Sequence, residues 1–238
     1  LVFVGATQLR ELLTPQVCLA ALEDAYRHLH AAPHDNSQSL GFQAYDGKFH
    51  VKAGLYPQTH EFFAAKINAN FPGNPDRHAL PTIQGLIILC DSANGKPLAI
   101  LQSGELTARR TAAATALAAK HGAKPDSRIL AIVGCGFQAW HQVEAVSGVL
   151  PVTHVLACDL SGDCALSLVA RIEQELGLQA TRAESVYEAV SASDIIVTCT
   201  TGTKVVVMDG MVRPGSFIAA VGADNPDKQE LDPHVFET

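Results

Sequence analysis

The chain has 238 residues, 47% hydrophobic and only 17% charged, with 17 lysines and arginines against 24 aspartates and glutamates. That balance excludes a disordered chain, and a formal charge of −7 without any basic run excludes nucleic acid and anionic membrane as natural partners. The charged share falls below the roughly 25% usual for soluble domains, so an apolar surface and an oligomer are expected.

Thr14-Pro15 is a helix start, because threonine caps an orphan amide and proline needs no donor at the first helical position. Cys18, Leu22, Ala25 and Leu29 follow at helical spacing. Phe42–Tyr45 and Lys48–Val51 flank Asp46-Gly47, which predicts a hairpin turning on that dipeptide. Phe62–Asn68, Thr82–Cys90 and Pro97–Leu101 read as further strands, followed by an alanine-rich helix from Glu105 to about His121. After Lys124-Pro125-Asp126 the rhythm becomes strand, turn, helix, strand: Ile129–Val133, Gln138 to about Val149, His154–Cys158, roughly Gly162–Leu176, then Asp194–Cys199 and Ser216–Val221. This alternation implies parallel strands with crossover helices. The fold class expected is therefore α/β: an N-terminal α+β substrate and dimerisation domain over 1–122, then a Rossmann-type doubly wound parallel sheet over 123–238.

Apolar runs such as Leu86 to Cys90 are too short to span a bilayer, and Leu1–Val4 has no signal-peptide flank. The six cysteines, Cys18, Cys90, Cys135, Cys158, Cys164 and Cys199, show neither zinc nor disulfide-framework spacing, so reduced thiols in a cytoplasmic protein are expected. No metal site is expected: His60-Glu61 lacks the second histidine of the H-E-x-x-H motif. The chain starts without methionine, which suggests a fragment.

Gly134-Cys135-Gly136-Phe137-Gln138-Ala139 follows the first strand of the second half and opens a helix, the G-x-G-x-x-A form of a dinucleotide fingerprint. Gly134 permits the tight turn, Gly136 lets a pyrophosphate approach the backbone, and Ala139 allows close helix–strand packing. Phe137 and Gln138 open the helix whose free amides would face the phosphates. Asp159 closes the next strand about twenty residues on, where an acidic residue accepts from both ribose hydroxyls. Its charge would repel a 2′-phosphate and no arginine stands next to it in sequence, so NAD(H) is preferred, with NADP(H) possible. Thr200 and Thr201 lie just past a later strand and Val221 ends the last one, where loops face the cofactor crevice; for the threonines, ordinary turn residues is the other reading.

Four ionisable residues stand where a pure scaffold would not obviously put them. Lys66 lies inside a strand, Lys52 follows His50-Val51, Arg110 interrupts the alanine-rich helix, and Asp224 follows the last strand. For either lysine the plain alternative is a solvated head on a half-exposed strand. Only one of Arg109 and Arg110 can face inward, and sequence leaves open which.

Five segments in order resemble the ornithine cyclodeaminase/µ-crystallin family. They are Lys66 to Asn74, Leu80-Pro81-Thr82, Arg110-Thr111-Ala112-Ala113, the glycine fingerprint, and Val221-Gly222-Ala223-Asp224 with Lys228-Gln229-Glu230-Leu231-Asp232. The resemblance implies a homodimer of a substrate domain plus a Rossmann domain, acting on a small amino or imino acid. It implies Lys66 and Arg110 as substrate-carboxylate binders and Asp224 as the catalytic aspartate, with Lys66 beside the chemistry. Two departures stand out. No arginine occurs between Arg27 and Arg77, where members often carry one, and Lys52 is the expected substitute. Members also continue well past Leu231-Asp232-Pro233, so a C-terminal segment is expected to be missing.

The expected reaction is hydride transfer between NAD(H) and an α-carbon bearing nitrogen, in first place a cyclic ketimine (pyrroline- or piperideine-2-carboxylate) reductase. An alanine-type dehydrogenase, an ornithine cyclodeaminase and a non-catalytic nucleotide-binding crystallin are the alternatives. The presence of Asp224, a proton-transfer group, argues against the last.

Overall fold

The computed structural model describes residues 1–29, 37–56, 62–223 and 227–237. They form two compact units, one of Leu1–Thr14 with Glu23–Thr107, the other of Pro15–Leu22 with Ala108–Thr238.

The first part of the chain gives β1 (Val2–Val4), α1 (Ala6–Leu12), α2 (Pro15–Leu29), β2 (Ser37–Ala44), β3 (Gly47–Tyr56) and β4 (Phe62–Asn70). It continues with α3 (Asn74–His78), β5 (Ile83–Asp91), β6 (Pro97–Gln102) and α4 (Ser103–Gly122). The strands form one sheet in the order β1-β6-β5-β4-β3-β2, antiparallel throughout except for β1 alongside β6. Period-two alternation sorts the side chains onto two faces. One face carries Lys48, His50, Lys52, Lys66, Asn68 and Asn70; the other carries Phe42, Phe49, Val51, Phe63, Ile67 and Leu86. The helix α4 is anchored to the polar face at its start, where Ser103, fully buried, donates its hydroxyl to Asn68 Oδ1 at 2.7 Å. Glu105, also buried, pairs with Arg10 at 3.2 Å.

The second part gives β7 (Ile129–Val133), α5 (Phe137–Ser147), β8 (His154–Cys158), α6 (Gly162–Leu176), β9 (Gln179–Arg182), α7 (Val186–Ser191), β10 (Ile195–Thr198) and β11 (Phe217–Ala220). A 3-10 turn over Pro233–Phe236 follows. All five strands are parallel, in the order β11-β10-β7-β8-β9, the doubly wound arrangement whose switch point lies between β7 and β10. The strands β7 and β10 are buried on both faces and read as continuous apolar runs for that reason. In α4, Ala108, Ala112, Ala113, Ala116 and Ala119 are all buried, and α2 and α5 approach it through Leu19 and Ala145. At the opposite end of the sheet from the glycine turn, Asp194 latches three strands. Its carboxylate accepts from the N–H groups of Arg128 and Ile129 and from Arg213, while its own carbonyl accepts from Phe217 N–H.

The fold class stands as the sequence implies, with corrections in detail. The hairpin does not turn on Asp46-Gly47: Ala44 pairs with Gly47, so Tyr45-Asp46 form the loop and Tyr45 takes the positive φ of 48°. Gly47 is needed one position later, because the Phe71 ring packs where a Cβ would stand. The elements β1, α1, α3, β9 and α7 are additions. Each is short, and β9 buries only Ala180, too little to show a periodicity.

Candidate functional site

In the doubly wound unit, Gly134 leaves β7 with φ 94°, a conformation that side-chain-bearing residues rarely adopt. A Cβ there would stand 3.1 Å from the Cα of Thr200. The turn thus passes directly against the loop that follows β10. Gly136 opens α5 without any side-chain cap, and nothing stands within 4 Å of where its Cβ would be. An uncapped helix start facing open space presents free N–H groups and a partial positive charge, the environment an anionic phosphate needs. Ala139 is fully buried against the sheet, Gln138 donates its amide to the Ala108 carbonyl at 3.1 Å, and Phe137 is exposed, its ring edge-on to His141.

Asp159 immediately follows β8, beside this turn. Its Oδ2 accepts from the Cys135 N–H at 2.6 Å and its Oδ1 from the Ser161 N–H at 2.8 Å. The carboxylate is therefore fixed in direction, with lone pairs left for a vicinal diol. Burial, and then the Asp159 charge, push the Cys135 thiol up to about 12, so it stays protonated and inert within the fingerprint. An arginine does reach the loop that follows Asp159 from elsewhere in the chain. The strand β9 delivers Arg182 to the same loop, its guanidinium 3.1 Å from where a Cβ on Gly162 would be, and Glu184 pairs with it at 3.1 Å. Sequence distance hid this contact.

After β10, Thr200 is half-buried and Thr201 exposed, and Val221 donates its N–H to the Thr198 carbonyl at 2.8 Å. A feature that sequence reasoning quoted without giving it a role is Glu230. Its buried carboxylate accepts from Thr198, Thr200 and Gly222. A lone acidic residue just before Leu231-Asp232-Pro233 carried no signal of that burial.

In the sheet unit, Lys66 of β4 stands directly opposite Lys52 of β3, on the polar face, with His50 opposite Asn68 one step along. Two like charges directly across a strand pair repel unless an anion lies between or beside them. Lys52 is exposed and Lys66 half-buried. An open recess of about 620 Å³ on this sheet includes Lys52, Ser39 and Tyr56 in its lining but not Lys66. The open question about α4 has an answer: Arg109 turns toward α5, with a side chain only 10% exposed and 3.7 Å from Glu144, and Arg110 lies on the exposed side. Asp224 and His60-Glu61 lie outside the described residues. Among the described residues, no group of three or more histidines, cysteines, aspartates or glutamates is placed to hold a metal.

The parallel sheet, the glycine turn and the fixed aspartate define the doubly wound class of nucleotide-binding domains. Within that class the chain belongs to the ornithine cyclodeaminase/mu-crystallin family, whose model matches residues 3–238. It is 39% identical over 166 residues to the alanine dehydrogenase of Archaeoglobus fulgidus, covering 70% of this chain and 50% of that protein. Among solved structures, the Thermococcus litoralis Δ1-pyrroline-2-carboxylate reductase in complex with NADH and L-proline superposes with TM-score 0.91 at 28% identity. An archaeal alanine dehydrogenase dimer with bound NAD superposes with TM-score 0.89 at 31% identity. Those matches cover 98% and 99% of this chain and 72% of each of the two structures. The chain thus spans about half the length of the curated dehydrogenase and somewhat under three quarters of the two solved chains. Other named relatives include ketimine reductase mu-crystallins and an uncharacterized cyclodeaminase.

Proposed function

We propose that this protein binds NAD(H) and transfers hydride at the α C–N bond of a small amino or imino acid, with a cyclic ketimine carboxylate as substrate. The observation that carries the reading is Asp159, held by the Cys135 and Ser161 amides beside the glycine turn and aimed to receive a ribose diol. Gly134, Gly136 and the α5 N-terminus would take the pyrophosphate, with Phe137, Gln138, Ala139, Thr200, Thr201 and Val221 shaping the crevice. NAD(H) is favoured over NADP(H) by the Asp159 charge, while Arg182 gives a 2′-phosphate a nearby counter-charge. The bound nicotinamide would supply the hydride acceptor or donor.

Lys66, with Lys52 across the strand pair, offers two ammonium groups to a substrate carboxylate, and Arg110 a fork of parallel donors. Holding the carboxylate fixes the position of the adjacent carbon, which removes most of the entropic barrier to transfer. Reduction of the C=N bond adds hydride to carbon and a proton to nitrogen, and Asp224 is the group assigned to give that proton or hold the nitrogen. A homodimer is part of the proposal, supported by the dimeric archaeal relative and by the exposed apolar face of the six-stranded sheet. The six free cysteines support a reducing, cytoplasmic setting, and among the described residues no helix is long and apolar enough to cross a membrane.

A second reading, an alanine-type dehydrogenase, is favoured by the 39% identity to the Archaeoglobus enzyme. Turnover separates the readings. Stoichiometric NADH oxidation by pyrroline- or piperideine-2-carboxylate supports the reductase, and NADH oxidation by pyruvate with ammonia supports the dehydrogenase. Ammonia and proline from ornithine at catalytic NAD+ would replace both with a cyclodeaminase. Asp224→Asn is expected to keep nucleotide binding and lose turnover; an active variant would remove Asp224 from the chemistry.

A further inference from the structure

Glu230 is 1% exposed, and four donors converge on its carboxylate. Oε1 accepts from the Thr200 N–H and the Thr200 hydroxyl, both at 2.8 Å; Oε2 accepts from the Thr198 hydroxyl and the Gly222 N–H, both at 2.7 Å. Its own carbonyl accepts from the N–H groups of Val206 and Val207 at 2.8 and 3.0 Å. The residue is fastened at both ends, its backbone to 206–207 and its side chain to the carboxyl ends of β10 and β11. Those ends form the rim where ligands of doubly wound sheets bind.

A carboxylate has no hydrogen to give, so the Thr200 hydroxyl must donate to Glu230 and can offer outward only lone pairs. Thr200 lies beside Gly134, the first glycine of the turn. We propose that Glu230 is a positioning residue that fixes Thr200 as an obligate acceptor in the dinucleotide crevice, so that Thr200 receives a donor of the cofactor. That donor is a hydroxyl of the nicotinamide-side ribose or the carboxamide NH2. A phosphate oxygen is refused, because it would set lone pair against lone pair, and the diphosphate is left to the free amides of α5. The inference rests on the cofactor reading above and adds to it the polarity of one contact.

The chemistry of Glu230→Gln makes the arrangement testable. The two oxygens face the Thr200 and Gly222 N–H groups, one each, and backbone donors cannot turn round. Whichever way the new amide is flipped, its NH2 meets an N–H, and in the flip that turns the NH2 to Thr200 the hydroxyl is freed to reverse. The experiment is calorimetric titration of wild type, Thr200→Ser, Thr200→Val and Glu230→Gln with NADH, ADP-ribose and ADP. Thr200→Ser is expected to stay within about twofold of wild type, and the other two variants to lose roughly tenfold for NADH. Loss confined to NADH assigns the carboxamide; equal loss for ADP-ribose, which keeps the second ribose, assigns its hydroxyl.

Unchanged NADH binding in Thr200→Val overturns the proposal, and so does an equal loss in Thr200→Ser. An equal loss for ADP, which lacks both donors, would put Thr200 on the diphosphate and overturn it as well. Should Glu230→Gln fail to fold, the two threonine variants still decide. Wild-type protein that binds none of the three nucleotides would sink the cofactor reading itself, an outcome distinct from all of these.

Discussion

Asp159 shows how much one side chain can decide. Its two oxygens are already engaged by amides of its own unit, so it would meet the proposed ribose without reorganising, and a preset acceptor discriminates more sharply than a mobile one. Asp159→Ala is expected to weaken NADH binding by about tenfold, the scale of a charge-assisted hydrogen-bond pair, and to narrow the gap to NADPH. Titration with both nucleotides checks it, and an unchanged preference would remove the ribose assignment. Arg182→Ala should act on the other cofactor, lowering NADPH affinity several-fold and sparing NADH. The same neighbourhood sets thiol reactivity. Burial foremost, then nearby carboxylates, raises the thiols of Cys135, Cys158 and Cys199, whereas Cys164 is exposed. Iodoacetamide at pH 8 should therefore mark Cys164 well before those three, as read by peptide mass spectrometry. Asp159 was legible because its spacing from the glycine turn is fixed by one strand–helix–strand repeat. Arg182 and Glu230 were not, because each reaches the candidate crevice from a later segment and its partners are set by tertiary packing alone.

Among the elements, legibility followed burial. The bounds of β7 and β8 follow from sequence to the residue and those of α6 approximately, since each is an apolar run or an amphipathic stripe bounded by polar turns. β1, β9 and α7 are three to six residues long and bury at most two side chains each, so pairing and not pattern creates them. The hairpin was placed but mis-turned, because local turn preference for Asp46-Gly47 yields to the Phe71 ring packed on Gly47. Asp194 is the clearest element-scale device, since one residue at the start of β10 ties in β7 through its carboxylate and β11 through its carbonyl. Burial acts to raise its pKa, but the Arg128 and Ile129 amides and Arg213 outweigh it and hold the carboxyl below its usual 3.8. A depressed folded value means the stabilisation is fully present above the unfolded value and is lost as pH falls through the folded one. Asp194→Ala should cost about 1–2 kcal/mol at pH 7 by urea unfolding. The difference from wild type should shrink below about pH 4. A gap that persisted at pH 2.5 would mean that packing, not the carboxylate, makes the contribution.

For the molecule as a whole, the decisive feature is a sheet whose polar face holds the lysine pair and whose apolar face is left open. Leu40, Phe42, Leu55, Ile67 and Leu86 are 43–55% exposed on that face, with Phe49 and Phe3 beside them. Contiguous apolar surface on this scale is a cost to a monomer and a resource for an interface, and it matches the low charged fraction of the chain. A second copy presenting the same face would cover it symmetrically, the commonest way such patches close. Ile67 sits near the centre, directly between Val51 and Leu86. A carboxylate there would be tolerated in a monomer but would lie desolvated and unpaired in a dimer, at a cost of several kcal/mol. Ile67→Asp is therefore expected to convert a dimer to a folded monomer, seen as a halved mass in light scattering with an unchanged far-ultraviolet circular dichroism spectrum. Leu166→Asp, equally exposed but on α6, is the control that should leave the mass alone. If the Ile67 variant keeps the dimeric mass, the partner binds elsewhere and the apolar face needs another occupant. If it becomes monomeric and also loses turnover while nucleotide affinity holds, the lysine-bearing face depends on its neighbour for catalytic order.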